Sequence, residues 1–146
     1  MSVYVDASAL VKRYVTEVGS ADVVALTTGA AAVATALVTR AEVAAAFARA
    51  ARIGVLDDAG GRRAQRRFSR EWPDLMRIPV TETLMARAEA LAWAHGLRGY
   101  DAVQLASALT WQDALGQAIV LATFDRQSWE AAPQAGLRAW PDRLPE

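Results

Sequence analysis

Cysteine is absent from this chain, and histidine occurs once, as His95. The first absence excludes a disulfide framework, cysteine-ligated zinc, iron–sulfur clusters and thiol nucleophiles. It also suits a reducing compartment, so a cytoplasmic location is the expectation. A single histidine leaves no partner for acid–base catalysis by a pair of imidazoles, and His95 precedes Gly96 at a helix end, where a cation suits the dipole. Lysine also occurs once, as Lys12. Long apolar runs are missing too. Val23 to Thr39 is the longest stretch without charge, but Thr27, Thr28, Gly29, Thr35 and Thr39 leave it too weakly apolar for a membrane span. Met1 to Asp6 carries no basic segment, and Lys12, Arg13 and Glu17 interrupt the apolar residues after it, so no signal peptide and no membrane partner are expected.

What is present describes an ordinary core. The 146 residues are 53% hydrophobic, which excludes disorder, and no linker, repeat or composition shift divides them, so residues 1–146 are expected to form a single domain. The 16 Lys and Arg balance the 16 Asp and Glu, so bulk charge predicts no nucleic-acid partner. The distribution is less even. Arg62, Arg63, Arg66, Arg67 and Arg70 stand between Gly60 and Arg70 with no acid among them.

Hydrophobic patterning predicts strands alternating with helices. Ser2 to Val5 reads as a strand, followed from Asp6 by a helix to about Val15 and a second helix over Asp22 to Thr28. Ala31 to Thr35 reads as a strand, and Leu37 to Ile53 as a helix with an apolar stripe at 3.6 spacing, for which Thr39 is a candidate cap. Asp57 and Asp58 open the basic helix, which Pro73 breaks after Trp72. Met76 to Val80 is a strand, Thr81 caps a helix to His95, and Tyr100 to Leu115 is a helix apolar on two faces. Ala118 to Thr123 is the continuous apolar strand that the centre of a parallel sheet needs. Arg126 to Ala135 is helical, and Leu137 to Trp140 is a last strand. This alternation predicts a three-layer α/β/α sandwich with a mostly parallel central sheet.

Sites in such a sheet lie off the carboxyl ends of the strands. Asp6 and Asp125 stand there, each between an apolar run and a helix, although either could simply cap that helix. Glu42 lies in an alanine-rich helix, where it could pair with Arg40 or Arg49 on a solvated face. Asp101 opens the helix that reads as most buried, where an acid also suits the dipole. Two carboxylates ~5 Å apart at an effective dielectric of ~20 repel by about 3 kcal/mol, so four together need cations. All-oxygen ligation suits Mg2+ or Mn2+ rather than zinc, and such ions drive phosphodiester hydrolysis by activating water.

Four segments carry a further signal: Val5-Asp6-Ala7-Ser8-Ala9-Leu10-Val11-Lys12, Glu42 in its helix, Leu97 to Ala106 with Arg98-Gly99-Tyr100-Asp101, and Ala122-Thr123-Phe124-Asp125-Arg126. In this order and spacing the chain resembles the PIN domain, and more closely the VapC-type toxins of type II toxin–antitoxin systems. The resemblance implies a magnesium-dependent endoribonuclease, with Mn2+ as a possible substitute. It makes Asp6, Glu42, Asp101 and Asp125 the catalytic and metal-binding acids, with Ser8 and Thr123 as supporting hydroxyls. It further implies an RNA substrate, a cognate antitoxin that places a cation among the acids, and a homodimer. The five arginines could follow RNA phosphates, or merely solvate a helix and pair with Asp57, Asp58 or Glu71, and Trp72 and Trp111 could stack on a base or an antitoxin side chain.

Other readings are weaker. An aspartyl-phosphate phosphatase wants a second Asp where Ser8 stands, and a phosphorelay receiver wants a late Lys. The alternative that remains is a catalytically silent PIN-like module that holds RNA or a partner.

Overall fold

A computed structural model describes residues 1–146. Five strands form one sheet: β1 (Ser2–Val5), β2 (Ala32–Ala36), β3 (Met76–Ile78), β4 (Val120–Ala122) and β5 (Arg138–Trp140). Their spatial order is β3-β2-β1-β4-β5, and every pairing is parallel. All five carboxyl ends therefore open on one edge, and the first strand in sequence lies at the centre. Seven helices connect them: α1 (Ala7–Leu10), α2 (Ser20–Gly29), α3 (Thr39–Arg52), α4 (Asp58–Glu71), α5 (Glu82–His95), α6 (Gly99–Leu115) and α7 (Arg126–Ala135).

Strand periodicity assigns side chains to two cores. Tyr4, Ala34, Ala36 and Leu121 join the apolar cluster made with α5, α6 and α7. Val3, Val5, Val120 and Ala122 point the other way, into the cluster made with α1, α3 and α4. Both faces of the central strands are thus buried, which is why their sequence is apolar without interruption. The expected three layers are present. On the α3–α4 side, Tyr14, Phe47, Phe68 and Trp72 pack edge to face, with ring centroids 5.4 to 6.0 Å apart. No helix is long and apolar enough to cross a membrane.

Several expected boundaries move. The first helix stops at Leu10 and tightens into a 3-10 turn over Val11–Arg13, short of Val15. The second starts earlier, at Ser20, because Gly19 turns the chain at φ +90 in a slot against Phe124. A Cβ there would lie 2.9 Å from the Phe124 ring, so Gly19 meets both a conformational and a steric demand. β2 spans Ala32–Ala36 rather than Ala31 to Thr35, since its pairing with Ser2, Val3 and Tyr4 sets the register. The strands expected over Met76 to Val80, Ala118 to Thr123 and Leu137 to Trp140 are each trimmed to three residues. α3 begins at Thr39, but Thr39 does not cap it. The N-cap is Val38, and the Thr39 side chain is turned inward. The stacking role considered for Trp72 and Trp111 fails, because they are only 5% and 3% exposed, within the two cores.

Candidate functional site

Each acid arrives from a different element at the same edge. β1 hands the chain to Asp6, and its neighbour β4 hands it to Thr123 and Asp125. β2, on the other side of β1, leads into α3 with Thr39 and Glu42. Asp101 stands in the first turn of α6.

Asp6 is the fixed point. Its Oδ1 accepts from the Ser8 hydroxyl at 2.6 Å and from the Ala9 amide at 3.0 Å. Its Oδ2 accepts from the Thr123 hydroxyl at 2.5 Å. Those hydroxyls are held in turn by the backbone after β4. The Phe124 amide donates to Ser8 Oγ at 2.8 Å, and the Asp125 amide donates to Thr123 Oγ1 at 3.1 Å. Ser8 and Thr123 thus join the ends of β1 and β4 and lock the Asp6 rotamer between them. The Ala9 bond is also a helix cap, and Asp125 likewise caps α7 by accepting from the Ser128 amide at 2.9 Å. Capping and convergence coexist, because a strand–helix junction at this edge supplies both.

Glu42 is not a solvated acid paired with Arg40 or Arg49. It is half-buried, and its Oε1 accepts from Gln104 Nε2 at 2.7 Å. Gln104 lies in the buried part of α6 and is held on all sides. Its Oε1 accepts from the Tyr4 hydroxyl at 2.5 Å, and its Nε2 also donates to Thr39 Oγ1 at 2.8 Å. The Thr35 and Thr39 hydroxyls lie 2.8 Å apart and continue the network, which ends on the Val5 carbonyl at 2.7 Å from Thr35. A buried polar chain this fully bonded fixes its members in place. Asp101 and Asp125 are joined differently. Arg98 Nε donates to Asp101 Oδ2, and its Nη2 donates to Asp125 Oδ1, each at 2.9 Å.

The acids share one electrostatic neighbourhood. Burial pushes the Asp6 carboxyl up to about 6; hydrogen bonds from Ser8, Thr123 and the Ala9 amide oppose the rise, and the charge on Asp101 adds to it. Glu42 is raised by burial, against the Gln104 bond, and further by the charges on Asp6 and Asp101. Asp101 is raised by burial and by Asp125, with Arg98 opposing. Each rise means that burial and neighbouring negative charge disfavour the ionised form, which a cation would offset.

The donor set is all oxygen, from four carboxylates with two hydroxyls behind them, and it fits a hard divalent cation. In this arrangement no three of the acids approach closely enough to enclose an ion. Asp101 and Asp125 are drawn instead onto Arg98.

The five arginines of the basic segment all lie exposed on α4. None bonds to the four acids. Arg67 donates to Glu71 Oε1 at 3.3 Å and stacks on the Tyr14 ring at 5.5 Å, so for this residue the structural pairing with Glu71 holds. Asp57 is taken by the helix cap, accepting from the Gly60 amide at 2.6 Å.

Sequence reasoning passed over two residues of the site. Gln104 carried a visible signal, as an amide between Ala102-Val103 and Leu105-Ala106 in the helix that reads as most buried. Arg98 stood in the Arg-Gly-Tyr-Asp stretch without a role, because no local pattern tells which acids a long side chain will reach.

Comparisons with known proteins identify the family and the fold. Residues 3–133 match the model of the PIN domain family. The chain is 40% identical over 142 residues to Ribonuclease VapC45 and to Ribonuclease VapC49 of Mycobacterium tuberculosis, covering 97% of this chain and 96% of each relative. A toxin–antitoxin complex from Klebsiella pneumoniae shares the fold, with a TM-score of 0.64 at 15% identity over 98% of this chain and 99% of that one.

Proposed function

This chain belongs to the PIN domain family, among its VapC-type ribonucleases, and on that premise we propose how it works. It is the ribonuclease toxin of a toxin–antitoxin pair and hydrolyses RNA phosphodiester bonds at Asp6, Glu42, Asp101 and Asp125 with water activated by Mg2+ (or Mn2+ in its place). The observation that carries the site assignment is Asp6: a buried carboxylate held by three donors, with its charge coupled to Asp101 and Glu42.

A bound divalent ion lowers the pKa of its water and offsets the charge that develops on the phosphate. The chain's own residues do the rest. Asp6 and Asp101 are the primary ligands, and Ser8 and Thr123 keep Asp6 from rotating away. Gln104 occupies Oε1 of Glu42, leaving Oε2 without a protein donor, and Oε2 is the atom that takes a proton from the attacking water. The raised proton affinity of Glu42 suits it to that task. Asp125 completes the ligand set and orients water. The cognate antitoxin inhibits by setting an Arg or Lys among the same carboxylates.

Cleavage of RNA by the purified protein tests the proposal. Activity should disappear in EDTA and return with excess Mg2+. Cleavage that persists at full rate in EDTA would exclude a metal mechanism.

RNA contact by α4 is part of this reading. Arg63, Arg66 and Arg70 share one exposed face, whereas Arg67 is engaged by Glu71, and Arg62 completes the basic set. Changing Arg63, Arg66 and Arg70 to Gln should weaken RNA binding and flatten its salt dependence by about 2 in log–log slope, at ~0.7 per lost phosphate contact. Turnover at saturating RNA should hold, because the acids are untouched. An unchanged slope would remove α4 from the RNA path. A homodimer also belongs to the proposal, supported by exposed apolar residues on neighbouring helices: Trp93 at 92% and Met85 at 42% on α5, and Tyr100 at 64% on α6. Sedimentation mass at micromolar concentration reads it directly.

A further inference from the structure

Arg98 is the one cation in direct contact with the acids, and it holds two of them at once. Its guanidinium forks, with Nε on Asp101 Oδ2 and Nη2 on Asp125 Oδ1, both at 2.9 Å. The side chain is otherwise free. It is 73% exposed and its only hydrogen-bond partners are these two carboxylates, whose own side chains are 18% and 21% exposed. The backbone explains the reach. Arg98 is the N-cap of α6 and Asp101 stands three residues on, so the side chain lies over the first turn and extends across to Asp125 at the start of α7. An N-cap is ordinarily a short polar residue that bonds the helix amides, and Arg98 makes no such bond. The position carries a long cation directed at acids and supplies no cap.

We propose that Arg98 is an internal competitor for the divalent ion and sets the affinity of the acidic site for it. The inference rests on the reading of the four acids as an ion site. The physical reason is position and charge. The guanidinium sits over Asp101 Oδ2 and Asp125 Oδ1, where an approaching ion would meet them, and a monovalent cation seated there repels a divalent one. Ion entry is therefore an exchange, with the ion taking the carboxylates and the guanidinium leaving to solvent. Because Arg98 is so exposed, leaving costs it little burial, and the exchange is reversible. Asp6 does not touch Arg98, so it remains available as the first point of attachment. The site thus has a permanent half, made by β1 and α3, and a half that changes partner, made by α6 and α7. A ligand-supporting residue and a competing one predict opposite signs, which makes the inference sharp.

Mn2+ binding followed by electron paramagnetic resonance tests it without reference to cleavage. Wild type, Asp6→Asn, Arg98→Ala, Arg98→Lys and Arg126→Ala are titrated at low ionic strength. Arg98→Ala should bind Mn2+ about tenfold more tightly than wild type, with the gain shrinking as salt rises. Arg98→Lys retains the charge but cannot fork, so it should recover part of the gain. Arg126→Ala removes a nearby charge that does not touch the acids and should change little, which separates occupancy from the general field. The rise in Tm on adding Mn2+ should be larger for Arg98→Ala than for wild type. Equal or weaker binding by a folded Arg98→Ala overturns the inference while the ion site stands. Binding that Asp6→Asn leaves intact overturns the site reading, and the inference with it.

Discussion

Asp6→Asn is expected to reduce RNA cleavage about a thousandfold or more while the protein stays folded. Metal-assisted hydrolysis draws several kcal/mol from the ion, and each 1.36 kcal/mol lost is a factor of ten. The substitution removes the charge of the one carboxylate that the fold holds from three sides. It should nonetheless be accommodated. Asparagine keeps an oxygen for the Ala9 amide and so keeps the cap of α1. Its amide nitrogen can donate to Thr123 Oγ1, reversing the bond now made there. Circular dichroism should match wild type, and Mn2+ binding should fall with activity. A folded variant that cuts RNA at the wild-type rate would remove Asp6 from the mechanism.

The second large effect is on stability, and its sign is set by burial. The Asp6 carboxyl is raised from 3.8 to about 6 in the folded chain. The native state therefore holds a proton in the window between those values that the unfolded chain has released, and stability falls as pH rises through it. About 2 pKa units at 1.36 kcal/mol each correspond to a loss of about 3 kcal/mol by pH 7. Glu42 and Asp101 are raised for the same leading reason and act in the same direction. Glu71 is lowered by its bonds from Tyr14 and Arg13 and by the charges of Arg13 and Arg67, despite partial burial, and it opposes them. Comparison of wild type with Asp6→Asn isolates the Asp6 contribution. Urea unfolding in EDTA should show nearly equal stabilities at pH 4, with the variant pulling ahead by up to about 3 kcal/mol at pH 8. Added Mg2+ should then close that gap by stabilising wild type alone. Curves that stay parallel from pH 4 to pH 8 would mean that Asp6 is not held against its charge.

Much of the fold was legible because its signals are local. Alternating apolar and amphipathic segments fix which stretches are strands and which are helices. The buried β4 and α6 stood out through apolar residues on every side, and Thr81 and Asp57 cap the helices they precede, by hydrogen bonds at 3.1 and 2.6 Å. Asp6 and Asp125 stood out by position, each following a strand and preceding a helix, and Asp101 by its place in a helix's first turn. Strand limits were not legible, since a parallel strand extends only as far as its neighbour can pair with it. Thr39 shows the same shortfall at one residue. Its type and place suggest a cap, yet the space beneath α3 and the amide of Gln104 draw it inward.

The sequence by itself determined the layer order, the parallel sheet and the set of oxygen donors, since periodicity and side-chain chemistry belong to the chain before it folds. Tertiary structure decided how those donors are held. Gln104 reaches Glu42 across 62 residues of sequence, Thr123 reaches Asp6 across 117, and Arg98 reaches Asp125 across 27. Such contacts depend on where helices cross the sheet and on how much water the packing leaves. The same burial that raises the proton affinity of the acids decides which carboxylate is locked in place and which can exchange its partner.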